Sequence, residues 1–313
     1  MDLRHLHAFV AIVDTGGFAR AAARLHVSQP ALSRQVHALE SELDLRLFDR
    51  RGRRVQLTGD GDDLLARARR LLADAQGFTE RARALRGGET GVLRVGATPQ
   101  AIETVLAPFL RVHRRRHPGV EVTLVEDGGA RLPGRLERGE VQLAHMPAGD
   151  ARFRARLLFP LYVLAVQPAA RPGRRGAVIE IGELADTPLL LLRRDFGSRA
   201  WFDAACELAH VRPRVVLESG APHTVIALAR TGHGIAIVPS NVLLPSRGLQ
   251  VVPVVHRGVP IGRWASIAWD PRRPLAPYAE RFVAELVAHA RRDHPGAGVT
   301  RRAPALPRPP GEA

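Results

Sequence analysis

The sequence predicts an α/β protein of more than one domain, with an α-helical winged helix-turn-helix at its N-terminus and a long linker helix after it. At 313 residues the chain is about twice the commonest domain size, which favours two cores. Apolar residues recur at helical spacing through the first 85 residues, and short apolar strands alternate with helical stretches beyond Gly91. The predicted domains are 1–58, 59–90 and 91–293, followed by a disordered tail over 294–313, rich in Pro, Gly and Arg.

Composition places the chain among ordinary globular proteins. Hydrophobic residues make up 45% and charged residues 25%. The longest apolar runs, such as Leu161–Val166, are far shorter than the ~20 residues of a membrane-spanning helix. The apolar pattern of the first 14 residues is interrupted by Arg4 and Asp14, and no small-residue cleavage site follows. We therefore expect no secretory signal, no membrane partner and a cytoplasmic location. The lone Cys206 forms no intrachain disulfide, which fits a reducing compartment.

The basic residues of this chain are all arginines. They outnumber acidic residues by 46 to 31, a net charge of +15 that suggests a nucleic-acid partner. Most of the excess lies beyond residue 90, so local clustering is the better guide to phosphate binding. The densest basic stretch of the N-terminal third comprises Arg46, Arg50, Arg51, Arg53 and Arg54.

Three short helices are predicted in the first 40 residues. Apolar residues at three- and four-residue steps predict helices over 3–14 and 18–25, separated by a glycine pair. Ser28 is a good N-cap and Pro30 is tolerated in a first helical turn, so a third helix is expected over 29–40. This spacing is typical of a helix-turn-helix whose last helix enters the major groove of DNA.

The third helix has one apolar and one polar face. Leu32, Val36 and Leu39 form the apolar stripe. From spacing alone, a surface helical hairpin is an equal alternative to DNA binding. The segment 50–58, two Arg pairs around Gly52 followed by alternating apolar residues, predicts a β-hairpin wing and favours DNA binding. The candidate DNA-binding residues are Gln29, Pro30, Ser33, Arg34 and His37 on the helix and Arg53 in the wing.

The linker helix shows the clearest periodicity of the chain. Apolar residues alternate four- and three-residue steps over about three heptads, a pattern typical of a coiled-coil seam. An amphipathic helix packed on its own domain is the alternative. Because a flexible segment over 86–91 follows, we expect the seam to pair with a second chain and form a homodimer. The seam comprises Leu64, Ala68, Leu71, Ala75, Phe78, Ala82 and Leu85.

Beyond Gly91 the pattern predicts a mainly parallel α/β architecture, with ligands at the carboxyl ends of the strands. The candidate strands are Val92–Ala97, Val120–Val125, Val141–His145, Tyr162–Val166, Leu189–Leu192, Arg214–Leu217, Ile235–Val238 and Trp264–Ala268. The candidate helices are Thr104–Arg116, Ser198–His210, Thr224–Thr231 and Pro277–Arg292.

The N-terminal segment resembles the DNA-binding domain of LysR-type transcriptional regulators. The resemblance rests on FxxAAxxLxVSQPALSRQ over residues 18–35, followed by Leu39-Glu40, Leu43, Leu47-Phe48 and Arg50. A late motif, GHGIAIVP over 232–239, is also similar to the family. The resemblance covers about residues 1–292. It implies a promoter-binding regulator that forms dimers of dimers and senses a small molecule, with an effector-binding domain like a periplasmic binding protein.

Three positions depart from the family pattern. The family usually has Glu after the Thr that opens the linker helix, whereas this chain has Thr58-Gly59-Asp60-Gly61, which predicts a frayed start to that helix. Gln142 stands where Asp is common, and His145-Met146 is unusual.

The resemblance implies an effector cleft between two subdomains, 91–159 with 266–292 and 160–265. Thr98 to Gln100 open a helix whose free N–H groups and dipole favour a small organic anion. Gly128 follows the second strand and permits close approach of a ligand to the backbone. The alternative is that the polar residues at these helix starts are only N-caps. The candidate effector-binding residues are Thr98, Pro99, Gln100 and Gly128 and, by resemblance, Phe196, Gly197, Ser198 and Thr224.

Enzymatic and metal chemistry find little support in the sequence, and we expect no cofactor. His113 and His117 share a helix face, but with three arginines between them and no carboxylate placed as third ligand, a solvated basic face is expected. Cys206 lies in an apolar helical stretch and is expected in a core.

Two other classes of protein are alternatives to a DNA-binding regulator. The first is a solute-binding protein without DNA function, which the N-terminal helices disfavour. A DNA-processing enzyme is disfavoured by the absence of clustered carboxylates.

Overall fold

The computed structural model describes residues 2–49, 55–85, 90–169, 177–244, 247–301 and 303–308. Arg53 and the rest of the predicted wing tip lie outside these ranges. The chain divides into two compact units, one of residues 1–86 with Glu137–Glu140 and one of residues 87–136 with 141–313. Among the described helices, none is both long enough and apolar enough to cross a membrane.

The N-terminal unit is a winged helix-turn-helix followed by a long helix. Its elements are α1 (Leu3–Thr15), α2 (Phe18–Arg24), α3 (Gln29–Leu43), β1 (Phe48–Asp49), β2 (Gln56–Leu57) and α4 (Gly59–Leu85). The Ser28 hydroxyl caps α3 by accepting a hydrogen bond from the Ala31 N–H. α3 continues one turn beyond the predicted Glu40 and ends where Asp44 turns left-handed at φ 54°. β1 and β2 pair antiparallel, which confirms the predicted hairpin at its base.

The helix-turn-helix core fixes α3 against α1 and the wing. Phe9 and Ile12 of α1 and Leu32 of α3 are fully buried. The buried carboxylate of Glu40 accepts hydrogen bonds from the Leu47 N–H at 2.8 Å and the Phe48 N–H at 3.4 Å. A buried carboxylate that is bonded to backbone in this way ties the end of α3 to the first wing strand.

The predicted fraying of the linker helix is wrong, because the start of α4 is well held. The Thr58 hydroxyl accepts a hydrogen bond from the Gly61 N–H at 2.9 Å and donates one to the Arg46 carbonyl at 2.6 Å. A Cβ on Gly61 would lie 2.2 Å from the Leu47 carbonyl oxygen. Glycine is therefore required at position 61 by the close approach of the backbone that precedes the wing.

The seam of α4 divides into two parts. Its first part, with Leu64 and the buried Ala68, packs on the core of the N-terminal unit. Farther along, Leu71 is 45% exposed and Phe78 is 78% exposed. The alternative of packing within one domain thus holds for the first part, whereas the second leaves large apolar side chains in solvent.

The second unit is a twisted α/β structure with two sheet regions. Its strands are β3 (Gly91–Ala97), β4 (Val120–Glu126), β5 (Leu143–Pro147), β6 (Arg154–Pro168), β7 (Ile179–Glu180), β8 (Pro188–Leu192), β9 (Arg214–Ser219), β10 (Ile235–Pro239), β11 (Leu249–His256), β12 (Val259–Pro260) and β13 (Gly262–Trp269). Its α-helices are α5 (Pro99–Ala101), α6 (Ala107–Arg116), α7 (Leu132–Glu137), α8 (Gly197–Leu208), α9 (Pro222–Arg230), α10 (Pro277–Arg292) and α11 (Ala297–Thr300). A π-helix over 102–106 joins α5 to α6.

The sheet is mixed, which corrects the expectation of a mainly parallel one. β3 pairs parallel with β4 and β5, and β8 pairs parallel with β9 and β10. The antiparallel pairs arise because β6 and β13 run side by side from one region of the sheet into the other. Their register shifts between Ala265 and Ser266, at the predicted subdomain boundary. The chain therefore crosses between two subdomains twice.

Five of these elements were absent from the sequence-based prediction: α7, β7, β11, β12 and α11. β11 pairs with β6 although Pro253 interrupts its apolar pattern. Proline is tolerated there because Pro253 is the last residue of β11 that pairs with β6, and β11 pairs with β7 and β12 only from Val254 onward.

The tail differs from the disorder predicted for residues 294–313. The described part packs on the second subdomain: the Tyr162 hydroxyl donates to the Pro304 carbonyl at 3.1 Å, and the Trp264 indole donates to the Leu306 carbonyl at 3.3 Å. Leu306 is buried. A segment poor in large apolar residues is expected to be disordered, but a few apolar side chains suffice where a complementary groove exists.

Candidate functional site

The exposed face of α3 presents the candidate DNA-binding residues. Gln29, Pro30, Arg34 and His37 are exposed, and Ser33 is half-buried. These positions lie opposite the buried stripe of α3, so their side chains are available for contact with another molecule. Arg53, the remaining candidate, lies outside the described residues.

The side chain of Arg34 is available to contact another molecule. It takes part in no ion pair with a described residue. Glu40, the acidic residue near the end of the same helix, is buried and bonded to the backbone of Leu47 and Phe48. The Glu40 carboxylate instead lies 3.6 Å from Nδ1 of His37. A free guanidinium on the exposed face of a recognition helix can form paired hydrogen bonds to a base edge.

A cavity of about 370 Å³ lies in the second unit, where the carboxyl ends of several strands meet. This is the place where ligands bind in open α/β sheets. Seven of the eight candidate effector-binding residues line it: Thr98, Pro99, Gln100, Gly128, Phe196, Gly197 and Ser198. Thr224 does not line it and lies in the first turn of α9.

Two polar side chains in the cavity make no hydrogen bond to described residues. Thr98 is an N-cap, because its hydroxyl accepts a bond from the Ala101 N–H at 3.4 Å. Ser198 and the Gln100 amide, both buried, have no such partner. α8 begins without a side-chain cap, and the N–H groups of Gly197 and Ser198 make no hydrogen bond to described residues, whereas the Arg199 N–H donates to the Phe196 carbonyl at 3.1 Å. The N-cap alternative therefore holds for Thr98 and fails for Ser198.

Charged residues that sequence reasoning missed also line the cavity. Asp127 is buried and accepts hydrogen bonds from the guanidinium groups of Arg131 and Arg135 and from the Gly128 N–H. Burial alone would raise the pKa of Asp127, but the bonds from Arg135, Gly128 and Arg131 outweigh it and lower that pKa. Arg131 is thereby held at the cavity, with its charge largely in solvent. The other charged lining residues are Glu126, Arg193 and Asp195.

His145 is the least expected lining residue, although the sequence marked His145-Met146 as unusual. The side chain is fully buried on β5, and Nε2 has no hydrogen-bond partner among the described residues. Burial lowers the pKa of His145 to about 4. The cavity therefore contains a neutral imidazole at physiological pH.

We predict that His145 makes the protein less stable in mild acid. The folded-state pKa lies below the unfolded value of 6.5, so the unfolded chain binds more protons as the pH falls from 6.5 towards 4, and stability is lost over that window. Between pH 7 and pH 5, protonation of this group in the unfolded chain should lower the free energy of unfolding by about 2 kcal/mol.

Chemical denaturation of wild type and His145→Leu at both pH values measures the effect. The variant should lose about 2 kcal/mol less than wild type on acidification. His256→Gln, which alters a partly exposed histidine, is the matched control and should behave as wild type. Equal losses for wild type and His145→Leu would show that His145 is not a buried neutral group.

The expectation of a solvated basic face at His113 and His117 is wrong for His113, which is buried where α6 packs on α10. Both rings hydrogen-bond to Glu285 of α10. Burial lowers the pKa of His113 more than Glu285 raises it. Burial would raise the pKa of Glu285, but bonds from His117 and His113 lower it. Cys206 is buried as predicted, and burial raises the pKa of its thiol to about 11.

Two family models match the chain. The model of a bacterial regulatory helix-turn-helix protein of the lysR family matches residues 3–62. The model of a LysR substrate binding domain matches residues 86–291. Together they cover both units of the structure, including α3 and the residues that line the cavity.

Known proteins are similar over almost the whole chain. The uncharacterized HTH-type transcriptional regulator YnfL of Escherichia coli (strain K12) is 29% identical over 296 residues, covering 92% of this chain and 98% of that protein. A full-length OxyR variant from Pseudomonas aeruginosa is 27% identical with a TM-score of 0.71, covering 98% of this chain and 99% of that one. Full-length CbnR in complex with its target DNA is 25% identical with a TM-score of 0.63, covering 93% and 99%.

Proposed function

The chain belongs to the LysR family of bacterial transcriptional regulators, and we propose that its DNA binding is controlled by a small organic anion bound in the cavity. The protein is thus a DNA-binding transcriptional regulator with an effector-binding domain. The alternative of a solute-binding protein without DNA function is not favoured, since the lysR helix-turn-helix model matches residues 3–62.

The proposed anion is supported by the hydrogen-bond donors at two helix starts in the cavity. Ser198 and Gln100 lie at two helix starts and line one cavity, and neither side chain hydrogen-bonds to a described residue. A hydroxyl and an amide without a protein partner can both donate hydrogen bonds to a bound molecule. Helix N-termini favour negative charge, and the guanidinium of Arg131, paired with Asp127 but mostly in solvent, lies at the same cavity, so a carboxylate is the group that suits this set of donors.

DNA contact is assigned to the exposed face of α3 and to the wing. Gln29, Ser33 and Arg34 are placed to read base edges in the major groove, and His37 and Pro30 to contact the flanking backbone and bases. Arg53 in the wing is assigned to phosphate. A homodimer through the exposed part of the α4 seam, and a homotetramer of two such dimers, would present these faces to successive half-sites.

Coupling requires that the anion bind two arrangements of the subdomains with different affinity. β6 and β13 are the two strands that cross between the subdomains, so they are the natural place for a hinge. We propose no catalytic step and place the protein in the cytoplasm, where promoter DNA lies.

Substitution of the unpaired donors should abolish most ligand binding. A panel of small mono- and dicarboxylates is first screened against wild type by thermal shift. Calorimetry with the best binder should then give at least ~10-fold weaker affinity for the Gln100→Leu, Ser198→Ala double variant, because each substitution removes a hydrogen bond to the anion. Thr224→Ala, outside the cavity, is the matched control and should bind as wild type. Unchanged affinity in the double variant, or no binder in the panel, would refute the proposal.

A further inference from the structure

Three side chains with metal-ligating atoms meet where α6 packs on α10. His113 and His117 lie four residues apart on one face of α6, with ring centroids 4.7 Å apart. Nδ1 of His113 lies 2.9 Å from Oε2 of Glu285, and Nε2 of His117 lies 2.9 Å from Oε1 of the same carboxylate. All three ligand atoms lie within 4.8 Å of one another.

We propose that His113, His117 and Glu285 bind a divalent transition-metal ion of the zinc class, separate from the effector cavity. Two imidazole nitrogens and one carboxylate oxygen form a donor set that zinc and its neighbours prefer, and a water molecule completes the tetrahedron. Tetrahedral ligands about 2.0–2.1 Å from zinc lie about 3.3 Å from one another. The two 2.9 Å contacts are to different oxygens of the Glu285 carboxylate, and the three ligand atoms lie within 4.8 Å of one another. Rotation of the side chains by up to about 1.5 Å at the ligand atoms would bring them to that spacing.

The tautomer of His113 does not oppose metal binding. A carboxylate only accepts hydrogen bonds, so Nδ1 of His113 carries the proton while it bonds to Glu285. Nε2 of His113 is buried and has no partner in the described chain. No group other than Glu285 therefore fixes the tautomer, and the ring can move its proton to Nε2 and present the Nδ1 lone pair to a metal.

Two phenylalanine rings pack against His113, while the side chains of His117 and Glu285 are partly open to solvent. The ring of His113 packs against Phe109 and Phe282 at 5.2 and 5.0 Å between centroids. The side chains of His117 and Glu285 are 23% and 28% exposed, which admits a metal ion and a bound water. The arginines between the histidines are all exposed, so solvent screens their charge.

A metal ion here would join two helices of the first subdomain. α6 continues through the π-helix from the helix start that carries Gln100 in the cavity, and α10 is the last long helix of the domain. Metal binding would stabilise the folded domain by mass action, because the unfolded chain lacks the preformed site. This inference does not depend on the identity of the effector.

The test uses untagged, full-length protein that has been treated with chelator and then freed of it. Calorimetry with ZnCl₂ and visible spectroscopy with CoCl₂ should show one equivalent of saturable binding, with the intense absorption bands of tetrahedral cobalt. His117→Gln and Glu285→Gln, which keep side-chain size and polarity, should each weaken binding at least ~100-fold. His256→Gln changes a histidine that pairs with Glu180 without a second histidine, and should leave binding unchanged.

Thermal unfolding gives an independent measurement. At about 100 times the dissociation constant, ZnCl₂ should raise the Tm of wild type by about 4 °C or more and leave that of Glu285→Gln unchanged. Anomalous diffraction from zinc-soaked crystals should place the ion between the three side chains. Absence of saturable binding to wild type, or equal affinity in His117→Gln and wild type, would overturn the proposal.

Discussion

The Leu71→Asp, Phe78→Asp double variant is expected to be monomeric at micromolar concentration, whereas wild type is at least dimeric. These side chains are 45% and 78% exposed in the single chain and lie one heptad apart on α4. Burying large apolar side chains of this kind contributes ~1.5–3 kcal/mol each. A symmetric dimer buries four of them, and the variant replaces this gain with desolvated charges. The dimer dissociation constant should therefore rise at least ~1,000-fold.

Sedimentation velocity measures the change directly. Ala66→Asp places the same charge on an exposed position of α4 that faces away from the seam, so it controls for helix destabilisation. It should sediment as wild type. An unchanged oligomeric state for the double variant would remove the α4 seam from the interface. Loss of the dimer in Ala66→Asp as well would show that added charge alone is responsible.

Arg34→Ala is expected to lose sequence preference more than it loses binding. Arg34 is exposed on α3 and has no described ion-pair partner, so its guanidinium is free for paired hydrogen bonds to a base edge. Each such pair contributes ~1–3 kcal/mol of discrimination, and a dimer uses two. The ratio of specific to random affinity should fall about 30-fold or more.

The affinities of wild type and Arg34→Ala are measured for two DNAs at several salt concentrations. One is an operator selected in vitro with wild type, and the other is random duplex DNA. Arg53→Ala is the contrasting variant: it should weaken both affinities together and lower the salt slope by about one, as expected for loss of one phosphate contact. If Arg34→Ala weakened both DNAs equally, Arg34 would be a phosphate contact and not a base-reading residue.

Local sequence patterns predicted most of the fold. The helix-turn-helix followed from helical apolar spacing, the N-cap at Ser28 and the wing signal, all of which are short-range. The subdomain boundary between residues 265 and 266 remains a prediction from the family resemblance; the register of β13 against β6 shifts at the same place. β6 was predicted too short, because Pro160 interrupts its apolar pattern shortly before the predicted start at Tyr162.

Contacts between distant residues were not predictable. Gly61 suggested a frayed helix, and only the approach of the Leu47 carbonyl shows why glycine stands there. Glu285 meets His113 across 172 positions of sequence, and no local signal indicates that pairing. In the cavity, Asp127 and His145 were missed for the same reason, since burial and strand register decide which polar groups face the ligand.

DNase I footprinting of the selected operator, with and without the carboxylate that binds wild type, tests the central claim most directly. Control of DNA binding from the cavity predicts that saturating ligand changes the length or strength of the wild-type footprint. In the Gln100→Leu, Ser198→Ala variant the same concentration should leave the footprint unchanged, while Thr224→Ala should respond as wild type. A wild-type footprint that is identical with and without saturating ligand would contradict the claim, because the bound anion would then have no differential affinity for the DNA-binding states.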